Sequence, residues 1–330
     1  MKRSLLILLF AVTACAKQAA PEAAPEPEAA PAAAPVKARD AAPPHQSLIN
    51  RMPEDGTLVK LIDAGAEPRK ALRFTPAAGP AGTMRMVMDM GITMSMNDRA
   101  IPQVVIPPMV MDMAIAVDAV DEDGNIRFSA ELVAVDLRAG EETPPDLRES
   151  LHADLSQMVG MRSLGVISDT GETLESSTVM PEGTPAELSA HMDNMDKALS
   201  GLAQPVPDEA VGVGAQWETL SRLPAGGMEL VQQTVSEIIA WEGDQVTLRT
   251  TVVQSPIRMS MDVPEMPGVT ASIQRFESEG SGESVLNLGA LIPVRAESAM
   301  TTDLLLEMNV GDMSQQTGQY MTLSMTMEAL

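Results

Sequence analysis

The side chains in this sequence best placed to do chemistry together are thioethers. Between Thr83 and Asn97, TMRMVMDMGITMSMN, the even positions are Met84, Met86, Met88, Met90, Ile92, Met94 and Met96, and the odd ones are mostly polar. The same phase returns at Met109, Met111 and Met113, at Met259 and Met261, and at Met321, Leu323, Met325 and Met327. Thioethers are soft, polarizable and flexible: they ligate Cu(I), fill irregular cores, and adapt to varied apolar ligands. No Cys or His joins them in these stretches. Copper is therefore the third of three readings, behind an apolar ligand surface and a filled core.

Other constellations reduce to turns or surface groups. Asp169-Thr170-Gly171 has the core of the aspartic protease motif, but that chemistry needs two carboxylates sharing a proton, and no second Asp-Thr-Gly occurs. Asp and Gly are ordinary hairpin residues. Asp121, Asp123, Gly124 and Ile126 fit the middle of a calcium loop, yet its first and last ligand positions would be Ala119 and Ala130, which cannot bind the ion. His152 and His191 each stand alone on a predicted helix, without His-x-x-x-His spacing. The chain reads as non-enzymatic, with no metal and no cofactor.

The elements that carry the methionines follow from their period. Alternation in steps of two is a strand with one apolar face, whereas a helix would scatter the same residues around its circumference. The expected fold is mainly β, of α+β type: a long curved antiparallel sheet or incomplete barrel with two amphipathic helices packed on its methionine-rich face. Strands are expected at 58–62, at 70–74 and at 83–97, the last with a bulge or bend at Gly91. Hairpins join Met109–Val120 to Ile126–Leu137 and span Leu164–Met180. The helices are Asp146–Val159 and a stripe of Leu188, Met192, Met195 and Leu199 behind the capping pattern Thr184-Pro185-Ala186-Glu187. Further strands are expected at 228–241, 245–253, 273–277, 284–291, 294–308 and 321–329. This register buries Met86, Met88, Met94, Met111 and Met259 and turns Arg85, Asp89 and Asp112 to solvent. A faint similarity between 119–133 and 240–253 hints at two related β halves joined near 203–216.

The charge balance, 22 Lys+Arg against 46 Asp+Glu, argues against nucleic acid, because neutralising phosphates takes clustered cations. It also argues against adsorption to anionic lipid by charge. Aromatics make up 2% of the chain while methionines number 26, so methionine takes the space-filling role of Phe and Tyr.

Met1 to Ala14, MKRSLLILLFAVTA, has two basic residues, a short apolar run and small residues before Cys15, the pattern of a signal peptide. Val12-Thr13-Ala14-Cys15 resembles the lipobox of bacterial lipoproteins. That resemblance implies cleavage before Cys15, diacylglycerol on its sulfur, and a fatty acyl group such as palmitate on the new amino terminus. Ala16 in place of Asp implies sorting to the outer membrane, with the domain facing the periplasm or, alternatively, the cell surface. Cys15 is the only cysteine, so it has no disulfide partner within the chain. Residues 15–47 are then the lipidated cysteine and an Ala/Pro/Glu-rich tether, extended and solvated, and 48–330 the β-rich domain. The stretch Pro207 to Trp217, with the lipobox, the β-helix-β order and Gly280-Ser281-Gly282-Glu283, resembles an uncharacterised class of predicted bacterial lipoproteins grouped as a domain of unknown function. That resemblance implies no activity and no site.

Two functional classes follow. One is a carrier or binding lipoprotein whose methionine-lined concavity takes an apolar ligand such as a lipid. The other is a structural lipoprotein whose methionines are core and whose partner is another envelope protein. A continuous apolar void bounded by the methionine strands separates them. The anchor itself is testable: Cys15→Ser is expected to leave a soluble pool or an uncleaved precursor, and detergent-phase partitioning like that of the wild type would contradict the lipobox reading.

Overall fold

Alternating thioethers and polar residues favour an extended backbone, because only there do successive side chains leave opposite faces. The computed structural model describes residues 46–52, 56–97, 99–101, 106–138, 143–181, 205–225, 228–262, 270–310 and 313–330. In chain order these hold α1 (Gln46–Ile49), β1 (Leu58–Asp63), β2 (Gly79–Met96), β3 (Arg99–Ala100), β4 (Met109–Val120), β5 (Ile126–Leu137), α2 (Pro145–Ser156), β6 (Arg162–Ile167), β7 (Thr173–Val179), β8 (Gln216–Ala225), β9 (Met228–Glu242), β10 (Gln245–Pro256), β11 (Ser260–Asp262), β12 (Thr270–Asn287), β13 (Arg295–Val310) and β14 (Met313–Ala329). All these strands join one open antiparallel sheet in the order β1-β8-β9-β10-β12-β13-β14-β2-β4-β5-β6-β7, with β3 beside β2 and β11 beside β12.

Two meanders make up this sheet. Strands β2, β4, β5, β6 and β7 succeed one another on one side; β8, β9, β10, β12, β13 and β14 do so on the other, extended by β1 against β8. The join is β14 against β2, from Thr317 opposite Met96 to Ala329 opposite Met84. Asn97, at φ 48°, fixes one end of that join. Its N–H donates to the Gln316 carbonyl at 2.9 Å, and its side-chain oxygen accepts the Gln316 N–H at 2.9 Å.

The hairpins at 109–137 and 162–179 form where alternation and turn residues place them. Other expectations fail for physical reasons. Residues 70–74 make only a single bridge, Lys70 to Val211, because Leu72 is buried in a core cluster and Arg73 binds loop carbonyls. The irregularity in β2 falls between Pro80 and Gly82, not at Gly91, which stays in register opposite Thr322. The strands expected at 273–277 and 284–291 are one, β12. Gly280 and Gly282 stay in its ladder because a Cβ at either would lie 2.8 Å from the carbonyl oxygen of Ala299 or Glu297, an approach only glycine allows. Of the two expected helices, α2 is described, and none of its residues is buried. It stands beside Asp136 and Leu137 at the end of β5, and Met158, past its last turn, clusters with Met111 and Met113. The second helix, 184–199, and Cys15 lie outside the described residues.

Among the described residues, the largest core cluster sits where β1, β8, β9 and β10 meet, around Trp217, Ile238, Val246 and Leu248, under Leu72, Val206 and Val211. Trp217 is fully buried and its indole N–H donates to the Pro205 carbonyl at 3.0 Å. The segments over this core also hold the distant β6–β7 turn. Phe74 N–H donates to the Asp169 carbonyl at 2.7 Å, Val206 N–H to the Thr170 carbonyl at 2.9 Å, and Arg73 Nε lies 3.2 Å from Asp169 Oδ2. On the other face of β8 and β9, Leu48 packs on Leu220 and Val231, and Arg51 pairs with the buried Glu218, which Gln233 also donates to. Burial pushes the Glu218 carboxyl up, but the Arg51 and Gln233 hydrogen bonds outweigh it and hold it below the usual range.

Trp217→Ala removes the largest fully buried side chain and orphans the Pro205 carbonyl. It should cost about 3–5 kcal/mol in equilibrium urea unfolding, and a loss under 1 kcal/mol would show that this cluster is not the core.

Candidate functional site

Register decides which residues share a face, since directly opposed residues in a ladder point the same way. From β4 to β13 this gives one set of rows. Met113 stands opposite Met84, Met111 opposite Met86, and Met109 opposite Met88. On the other flank of β2, Met327 faces Met86, Met325 faces Met88, Leu323 faces Met90, Met321 faces Ile92, and Gln319 faces Met94. Beyond β14 the rows continue through Ser298, Met300, Thr302 and Leu304 of β13. The structure thus brings together Met84, Met86, Met88, Met90, Met94, Met96, Met109, Met111 and Met113 in one patch. Met259 and Met261 are separated from β14 by β12 and β13: Met261 opposes Ala271, which opposes Met308, and Ile273 N–H donates to the Met259 carbonyl at 2.8 Å.

The same face can be followed across the whole sheet. It carries Val59, Leu61, Trp217 and Thr219, then Ser236, Leu248 and Thr250, then Ser278, Gly280 and Gly282. Past the methionines it carries Leu132, Ala130, Phe128 and Ile126, then Ser163, Gly165 and Ile167. Among the described residues on the twelve-strand path, no Asp, Glu, Lys or Arg stands on it. In a chain at net −24, the described charges of these twelve strands lie on the other face. Arg99 of β3, opposite Met96 and exposed, is the nearest cation by register, at the strand end.

Burial departs from expectation. Met86, Met88, Met94, Met111 and Met259 are half-buried, not buried, as are the other patch methionines of β2, β4 and β14. The reason is position: the largest closed core gathers at the Trp217 end, and the thioethers lie in the middle of a sheet. The methionine face is neither sealed core nor bare surface. Of two open depressions, neither is lined by a methionine: one of about 450 Å³ lies between β5 and α2, and one of about 430 Å³ opens largely on the charged face, at Thr83, Ala114, Ser129, Glu131 and Arg162.

On the opposite face, Asp89 is exposed, as expected, but Arg85 and Asp112 are only partly so. They form a two-pronged pair, Nε to Oδ1 and Nη2 to Oδ2, both at 2.8 Å. The hydrogen bonds from Arg85 hold the Asp112 carboxyl below its usual value. The remaining sequence candidates serve structure. Asp169 belongs to the tied β6–β7 turn. Asp121 accepts the Asp123 and Asn125 N–H groups, which depress its pKa, the side-chain amide of Asn125 most. His152 Nδ1 lies 3.3 Å from Ser156 Oγ on exposed α2.

Two features escaped the sequence. A polar row crosses the face at Gln232, Gln254, Ser278 and Thr302, linked at 2.9 Å per step. Gln315 and Thr317 continue the phase of Met321 to Met327 down β14, so the alternation that found the methionines also contained them. No known family model matches the chain, and no curated protein sequence matches it.

The Arg85–Asp112 pair sets a pH dependence. Its folded carboxyl is depressed, so its stabilisation is complete above the unfolded value of 3.8 and fades as pH falls through the folded one. Asp112→Asn is expected to lower Tm at pH 7 and to converge with the wild type as pH falls through the folded carboxyl's depressed value. A Tm gap independent of pH would mean the pair contributes through packing alone.

Proposed function

We propose that the protein is a non-enzymatic, lipid-anchored envelope protein of the outer membrane whose charge-free methionine face receives an elongated apolar ligand of the acyl-chain type. The observation that carries this reading is the segregation of charge: along the twelve-strand path, the described residues of one sheet face include no ionised group, with half-buried thioethers at its centre. Half-burial matters because thioethers already sealed in a core have no free energy left to gain. Those still partly wetted gain about 25 cal/mol per Å² of apolar surface covered. Unbranched methionine also fits chains of differing length and bend better than Leu or Ile.

The loop ties from Phe74 and Val206 to the β6–β7 turn support a sheet curled about this face as an incomplete barrel, a trough in place of a closed pocket. A second reading has its own support. The β14–β2 ladder joins the two meanders, so the thioethers also fit a structural seam in an assembly protein.

Met88 lies at the centre, between Met109 and Met325. In a trough, Met88→Trp blocks the ligand while the fold keeps its Tm; in a packed seam it overpacks and costs about 1–3 kcal/mol. Wild type is expected to bind an environment-sensitive fatty-acyl probe and the variant to lose it at unchanged Tm. A wild type that ignores the probe, with a variant that melts early, leaves the structural reading alone.

A further inference from the structure

Four buried side-chain atoms in the described structure lack a hydrogen-bond partner: Arg275 Nε, Ser284 Oγ, Gln315 Nε2 and Thr317 Oγ1. Arg275 lies on the charged face, where its Nη2 binds Asp303 at 2.9 Å. The other three stand on the methionine face: Ser284 opposite Leu248 and Ala296, Gln315 opposite Met308, and Thr317 opposite Leu306 and Met96. Gln315 and Thr317 are two residues apart on one strand, so their side chains are neighbours on the same face. Thr317 is only 6% exposed, and its neighbours Leu306 and Met308 are buried at 3% and 6%.

Sealed donors without acceptors are costly, and a native fold retains them where something else supplies the acceptor. Around these two, the rows are apolar: Ile273, Leu306 and Met96 with Thr317, and Ala271 and Met308 with Gln315. Among the described residues, no ionised side chain shares the face there except exposed Arg99, one strand beyond Met96. An amide N–H and a hydroxyl, both neutral, suit the two lone pairs of one neutral carbonyl. They do not suit a carboxylate, which would enter an apolar end of an acidic protein without a cation at contact.

We propose, resting on the acyl-ligand reading, that Gln315 and Thr317 form the head-group site of the methionine face. They would take the carbonyl of a neutral acyl ester such as a monoacylglycerol. The acyl chain then runs from this end of the face along Met94, Ile92, Met90, Met88 and Met86, flanked by Met321, Leu323, Met325 and Met327. From Thr317 to Met327 the strand covers about 33 Å, enough for an extended fatty acyl chain. The ligand thus has a direction, its polar end at Gln315 and Thr317 and its chain end toward Met327.

The test uses the full-length protein with three probes: a monoacylglycerol, the free fatty acid of the same chain, and a plain long-chain alkane. Binding is read by displacement of a fluorescent acyl probe. The variants are Thr317→Val and Gln315→Met, singly and together. The wild type is expected to bind the ester more tightly than the acid. The double variant should lose about tenfold or more for the ester and hold the alkane as well as the wild type does. Its Tm without ligand should be equal or higher, because an orphaned donor has been replaced by an apolar group of similar shape. Unchanged ester binding in the double variant, or tighter binding of the acid than the ester by the wild type, overturns the head-group site and leaves the acyl-ligand reading intact. A lower ligand-free Tm with proportionate loss of all three probes also overturns it, since both groups then serve the fold. Failure of the wild type to bind any of the three removes the acyl-ligand reading itself.

Discussion

The structure depends on one ladder, β14 against β2. Every other neighbour on the main path but β1 with β8 is reached by a connection between strands close in sequence, whereas the Gln316–Asn97 contact at the end of this ladder spans 219 residues. Its phase matters more than its length. A shift of one residue would turn Met84 to Met96 toward Arg85's side of the sheet and send Asp89 to theirs. Asn97 and the Arg85–Asp112 pair hold the phase from opposite ends and opposite flanks, one by a left-handed turn and the other by two charge-assisted hydrogen bonds. With that register fixed, the charge-free face extends from Leu61 to Ile167.

Much of the local structure was legible. Strict alternation gave the strand expected at 83–97 and found at Gly79–Met96, and Asp-Glu-Asp-Gly-Asn at 121–125 gave the turn between β4 and β5 at its observed bounds. The neighbours of each strand were not, because alternation is the same whichever strand lies alongside. Nothing local to Met321–Met327 says that it meets Met86–Ile92 and not Met109–Met113. Gly280-Ser281-Gly282 looks like a break between two strands by composition, yet the glycines are there for the closeness of Ala299 and Glu297 across the ladder. Residues 70–74 alternate acceptably, but Leu72 is needed over Trp217 and Arg73 at the β6–β7 turn, and those demands override a weak strand preference.

The candidate site was legible in part. The methionine positions were found, and their common face is real. Their degree of burial was misjudged, because periodicity reports which side a residue takes and not what lies on that side. The orphaned donors Gln315 and Thr317 share the methionines' phase but not their chemistry, so a search for apolar residues passes over them.

The late partner of β2 has a consequence for how the chain comes into being. β2 and β4 are complete while β14 is still unsynthesised, so one long edge of the methionine strand stands open until β14 arrives. An 18-residue edge with alternating apolar side chains is the kind of template that pairs with other chains. Long-range pairing of this sort is also slow, since the loop must close before its contacts reward it. Folding of this chain therefore favours conditions that keep that edge shielded until β14 has been made.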